Sequence, residues 1–264
     1  MFWDEGGTPH IVKMEAEVEA EVILNLCQAK QMTSSSYIEM FDQGPGGWVR
    51  VVDNVSAPAA LPVRDGALWS YGPWWVDYNH APPGAGYLQL LMCLNTKGPF
   101  GETLKEVAGE NRFVTCAFSR NLTNATITAR LKCELEAAGA KICVLIQGAQ
   151  DGMVTGWIHT AKTMSVTPDY TEQSVKLVPD ESQWTCLRAR HDRVDYYGHT
   201  PLNRILSDVN VNLYLLLFPV MPRPMGPIHG DPHILRAGKD YPVWPSSIAQ
   251  GYVAVDTIRI DWPV

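Results

Sequence analysis

The segment from Pro73 to Tyr87 holds two tryptophans, two tyrosines, an aspartate, an asparagine and a histidine between prolines and glycines. Sugars are bound by this mixture of residue types. Trp74, Trp75 and Tyr78 offer ring faces for the C–H face of a pyranose, and Asp77, Asn79 and His80 offer hydrogen bonds to its hydroxyls. The same residues would also serve as an aromatic corner filling one end of a domain. A second segment, Arg188 to His199, sets Arg190, His191, Asp192 and Arg193 beside Tyr196 and Tyr197. Arg190 and Arg193 would clamp hydroxyls or a carboxylate, and His191 with Asp192 could move a proton. Local ion pairs in a solvated loop account for this run as well. If catalysis accompanies binding, Asp77, His80, His191, Asp192 and Tyr197 are the acid/base candidates. Asp77 and Asp192 are the first carboxylate pair to consider, because glycosidases hold two carboxylates about 5–10 Å apart.

A third cluster, His229-Gly230-Asp231-Pro232-His233, has ligand types for a transition metal, but its glycine and proline make it a turn whose side chains need not converge. Other chemistry is missing. The chain has no G-x-S-x-G elbow, P-loop, G-x-G-x-x-G, H-E-x-x-H or zinc-type cysteine pair. The six cysteines stand in apolar stretches and read as free buried thiols, with a disulfide or two as the alternative. Asn54, Asn121 and Asn124 begin N-x-S/T sequons.

These loops must be positioned by strands, because period 2 dominates the chain. From Ala125 to Ala137 apolar and polar residues alternate without a break, which predicts a long strand with one wet face. A Gly139 turn then leads to Lys141–Gln147, predicted as the hairpin partner. Further strands are expected at 48–53, 67–71, 86–95, 112–119, 156–160, 173–177, 211–218 and 251–262. Short helices are expected at 100–108 and 202–209. The stretch 13–26 is built of helix formers but alternates with period 2, so it is read as a strand. Many short strands with Gly/Pro turns indicate a sandwich or barrel.

The chain has 264 residues, 46% hydrophobic and 19% charged, with a formal charge of −7. That composition excludes a disordered chain, and its acidic balance argues against nucleic acid or an anionic membrane as partner. No apolar run reaches the roughly 18–20 residues of a membrane helix. The first residues have neither a basic nor an apolar signal region, so a cytoplasmic location is the default expectation.

Three stretches resemble jelly-roll β-sandwiches of the galactose-binding-like or lectin-like kind. They are Met40-Phe41-Asp42-Gln43-Gly44-Pro45-Gly46-Gly47-Trp48, Ala67-Leu68-Trp69-Ser70, and the closing Gly251-Tyr252-Val253-Ala254-Val255-Asp256-Thr257-Ile258-Arg259-Ile260. The resemblance implies a carbohydrate-binding module. It also implies a structural calcium ion between the first and last strands, near Asp42 and Asp256. On an unbroken strand Tyr252, Ala254, Asp256, Ile258, Ile260 and Trp262 share a face, leaving Asp256 in an apolar row. Such a carboxylate must bind metal, be hydrogen-bonded or ion-paired, or be turned outward by a bulge.

The expectation is an all-β, two-sheet antiparallel jelly-roll sandwich over residues 39–264 with few short helices. Residues 1–38 form an N-terminal extension, expected to add one strand. The leading function is glycan recognition. The alternatives are a glycoside hydrolase or polysaccharide lyase, and a structural protein that forms homo-oligomers through its aromatic residues.

Overall fold

The structure, a computed structural model, describes residues 36–52, 57–77, 87–97, 105–188, 196–221 and 249–263. The predicted strand at 13–26 lies outside them. The described chain is an all-β, two-sheet antiparallel sandwich with few short helices. The smaller sheet runs β11 (Thr171–Lys176), β8 (Thr126–Glu136), β14 (Gln250–Asp261), β5 (Ala67–Tyr71), β4 (Val63–Arg64). Strand β1 (Ser36–Glu39) lies on the same flank of β14 as β5, end to end with it. The larger sheet runs β12 (Trp184–Cys186), β10 (Met153–His159), β9 (Lys141–Gln150), β13 (Asn212–Val220), β7 (Tyr87–Asn95), β2 (Trp48–Arg50), β3 (Ala59–Ala60). Strand β6 (Val76–Asp77) joins β7 beside β2. Strand β1 begins at Ser36, slightly before the expected domain boundary.

The alternation of β8 places Ile127, Ala129, Leu131 and Cys133 in the core between the sheets, where they meet Ile142, Val144 and Ile146 of β9. Strands β8 and β9 are therefore not a hairpin. The turn at Ala138-Gly139 carries the chain from one sheet to the other, β8 pairing with β11 and β14, and β9 with β10 and β13. The physical reason is in the residues. Strand β9 also buries Cys143 and Leu145 on its other face, whereas β8 turns Arg130, Lys132 and Glu134 away from the core. The hairpin is β9–β10, closed over Asp151-Gly152 with φ of 52° and 81°, the Asp-Gly pair that tight hairpins favour.

A second correction concerns 112–119, expected as a strand. Residues Arg112–Thr115 form a single helical turn, α2, after α1 (Lys105–Ala108). Asn111 caps it, its Oδ1 accepting the Val114 N–H at 3.3 Å, which satisfies an otherwise orphaned donor. Phe113 is the buried anchor. The third helix, α3 (Leu202–Ser207), falls within its expected range.

The last correction is one of phase. The β8–β14 register slips between Val255 and Thr257, leaving Asp256 as the extra residue of a bulge. Val253 and Val255 face the core before it, Ile258 and Ile260 after it. Tyr252, Ala254 and Asp256 thus face outward, and no shared apolar face runs through Asp256.

Cys93, Cys133, Cys143 and Cys186 are free thiols, whereas Cys116 is disulfide-bonded, against the reading of all six as free. Burial pushes the Cys93 and Cys143 thiols up to about 12 and those of Cys133 and Cys186 to about 11. These four thiols are inert as nucleophiles near neutrality.

Candidate functional site

The predicted loop residues separate. Trp74 sits in the inter-sheet core, 1% exposed, with its indole N–H donating to Ser70 Oγ at 2.8 Å. It has no ring face toward solvent. Trp75 and Asp77 lie on the far side of the larger sheet, both buried. Asp77 stands opposite Leu88 in register and so shares that strand's outward side. Tyr196 is exposed and Tyr197 half-buried, their rings edge to face at 4.8 Å. Tyr78, Asn79, His80, Arg190, His191, Asp192 and Arg193 lie outside the described residues, as does the His229–His233 cluster.

Two of the predicted residues are electrostatic neighbours of one phenol. Tyr214 of β13 lies on the outward side of the larger sheet, and its phenol is pushed well above the usual tyrosine range. Burial is the largest cause, followed by Cys93, Tyr197 and Asp77 as electrostatic neighbours. Asp77 and Tyr197, one from each predicted segment, thus act on the same phenol. The Asn212 amide donates to Tyr214 Oη at 2.8 Å and to Gln147 Oε1 at 3.1 Å, and accepts from Asn95 Nδ2. Asn95, Asn212 and Gln147 are directly opposite one another on three adjacent strands. The apolar surroundings include Trp75, Leu90, Leu145, Leu216 and Phe218. A phenol held in its neutral form can donate or accept a hydrogen bond but is a poor base.

The smaller sheet presents an aromatic surface that the sequence reading did not select. Trp69 and Tyr71 alternate with the buried Leu68 and Ser70 on β5, and Tyr252 faces Tyr71 in register on β14. The Trp69 and Tyr71 rings are nearly parallel (14°) with centroids 5.8 Å apart, and Tyr252 is 4.8 Å from Trp69. All three are half-buried. Cations rim them. The Arg64 guanidinium lies 5.7 Å from the Tyr71 ring centre, and Lys132 Nζ lies between Trp69 and Tyr170 at 5.1 and 4.8 Å. One register row reads Trp69, Ala254, Lys132 and the next reads Tyr71, Tyr252, Glu134. The strip therefore carries rings along β5 and β14 and hydrogen-bonding groups along β8.

The two residues proposed for calcium have different surroundings. Asp42 is exposed, in the turn after β1. Asp256 is ion-paired with Arg130, whose guanidinium also lies over the Tyr170 ring. The carboxylate that raised the expectation of a metal is thus turned outward by a bulge and has a guanidinium partner. Among the described residues no group of three or more His, Cys, Asp or Glu side chains is placed to hold a metal ion.

No family model, curated protein or solved structure matches the chain.

Proposed function

We propose that the protein binds a carbohydrate, which stacks on the Trp69–Tyr71–Tyr252 strip of the smaller sheet. The observation that supports this reading is the placing of three adjoining rings on the wet face of a sheet, where core packing does not call for them. Pyranose C–H faces stack on such rings, and Arg64, Lys132 and Glu134 are placed at the rim to reach hydroxyls. The test is a glycan array followed by titration of intrinsic tryptophan fluorescence. Binding should disappear in Trp69→Ala and Tyr252→Ala and persist in Tyr196→Ala. Full affinity in both strip variants would overturn the reading.

A second reading is a sugar-active enzyme, a glycoside hydrolase or polysaccharide lyase, and the shared electrostatic influence of Asp77 and Tyr197 on Tyr214 favours it. Turnover of an array ligand, lost in Asp77→Asn and kept in Trp69→Ala, would transfer the active surface to the larger sheet.

A further inference from the structure

The cations around the Trp69–Tyr71–Tyr252 strip are held by rings rather than by acids. Lys132 Nζ lies 5.1 Å from the Trp69 ring centre and 4.8 Å from that of Tyr170. The Arg64 guanidinium lies 5.7 Å from the Tyr71 ring centre and donates from Nη1 to Tyr71 Oη at 3.3 Å. Among the described residues neither has a carboxylate within ion-pairing distance, whereas Arg120, Arg130, Arg204 and Arg259 each have an aspartate. Two acids beside the strip have partners of their own. Asp256 pairs with Arg130, and Glu134 has the Tyr252 phenol as its hydrogen-bonding neighbour. The remaining acid, Asp65, is in the turn before β5 and is a weaker neighbour of Tyr170 than Asp256 or Arg130.

A ring face steadies a cation without using up its N–H donors, so these heads are fixed in place and still able to donate. That arrangement selects among ligands. A cationic ligand is disfavoured, because Trp69 and Tyr71 already carry a cation each. A neutral pyranose would stack on the rings and leave both charges unused. A sugar with an anionic substituent satisfies the rings and the cations together. Single-stranded nucleic acid uses the same two elements, but the chain's formal charge of −7 opposes it. We propose that the strip binds an acidic glycan, its sugar rings stacked on Trp69 and Tyr71 and its anionic groups on Lys132 and Arg64. This rests on the reading of the strip as the carbohydrate site. The anionic group is a uronate carboxylate or a sulfate ester, which present the same charged oxygen acceptors.

Isothermal titration of the full chain tests this with two matched pairs of probes. One is tetragalacturonate and its methyl ester, the other a κ-carrageenan tetrasaccharide and its desulfated form. At least one acidic member should bind about tenfold or more tightly than its neutral partner, and added salt should narrow the gap. Preference within the first pair identifies a carboxylate, and within the second a sulfate ester. Lys132→Met and Arg64→Met keep an aliphatic stem on the outer face of the sheet, where the fold tolerates them. Each should weaken the acidic probe about five- to tenfold and leave its neutral partner unchanged. The proposal is overturned if neutral and acidic members bind alike, if both methionine variants bind the acidic probe like the wild type, or if none of the four sugars binds. In those cases a neutral array ligand that is lost in Trp69→Ala keeps the stacking reading, and its absence removes that reading too. Oligothymidylate bound in preference to all four sugars overturns both.

Discussion

Trp69 and Trp74 are five positions apart in sequence and opposite in role, and their replacement by alanine separates a binding surface from a core. Trp69 contacts the Tyr71 and Tyr252 rings, lies beside Lys132, and donates its indole N–H to the Arg64 carbonyl at 3.3 Å. Ring pairs contribute about 0.5–1.5 kcal/mol each and an exposed cation–π contact about 0.5–1. Trp69 is half-exposed, so the low ends apply, and Trp69→Ala should cost about 2 kcal/mol. A domain with a stability of about 5–15 kcal/mol stays folded after that loss. Trp74 is buried, and its loss leaves a cavity beside Ser70, whose hydroxyl donates to the Leu91 carbonyl at 2.6 Å. Trp74→Ala should cost about 3–5 kcal/mol, and Trp74→Phe less. Urea unfolding followed by far-UV circular dichroism gives the stabilities, and titration with the glycan returned by the array gives the affinities. Trp69→Ala should fold and not bind; Trp74→Phe should be destabilised and still bind. If Trp69→Ala binds like the wild type, or costs as much as Trp74→Ala, the division into surface and core is wrong.

Further outcomes follow from the geometry. Gly251 has φ of 117°, and a Cβ there would stand 2.0 Å from the Glu134 carbonyl oxygen. Gly251→Ala should cost about 2–3 kcal/mol or more, read as a lowered urea midpoint. His159 is buried, and burial lowers its pKa below the ordinary value, opposed by hydrogen bonds to Lys162 and Gln183. The unfolded state therefore holds more protons just below the ordinary histidine pKa. Stability should fall as pH drops below about 6.5, with a shallower slope in His159→Gln. Asp256→Asn should cost about 1 kcal/mol or less, because Arg130 is half-exposed and the pair is screened, and added salt should shrink the difference. A large calcium-dependent rise in Tm that Asp256→Asn abolishes would show instead that the carboxylate serves a metal.

Strand β8 was legible because its alternation is unbroken over many residues, β5 and β14 through shorter alternating runs and β7 through its apolar run, and the two-sheet fold follows from them. What local pattern does not carry is pairing. Strands β8 and β9 adjoin in sequence and read as a hairpin, yet only the apolar character of both faces of β9 shows that it belongs to a sheet buried on two sides. The Asp151-Gly152 turn was the better hairpin signal. At 112–119 the aromatic and β-branched residues Phe113, Val114, Thr115 and Phe118 suited a strand, and the cap at Asn111 pointed to the helical turn. Of the candidate site, the loops at 74–77 and 196–197 drew notice by composition. The Trp69 strip did not, because it is assembled across strands. Trp69 and Tyr71 could be assigned to one face of β5, but the Tyr71–Tyr252 register is a long-range fact. The bulge at Asp256 shifts the face of every later residue on β14, and no residue type announces it.

The placing of β14 has a consequence for how the chain is made. This last strand is flanked by β8 on one side and by β1 and β5 on the other. Its hydroxyl link from Ser36 to Asp261 spans 225 positions of sequence. During synthesis the smaller sheet therefore lacks its middle member until residues 250–261 have left the ribosome. The edges of β5 and β8 that β14 will join are unpaired in that interval, and contacts this distant form slowly. Nascent chains should accordingly need protection from association until β14 has emerged, and a chain cut before Gln250 should give an aggregating product rather than a weakened one.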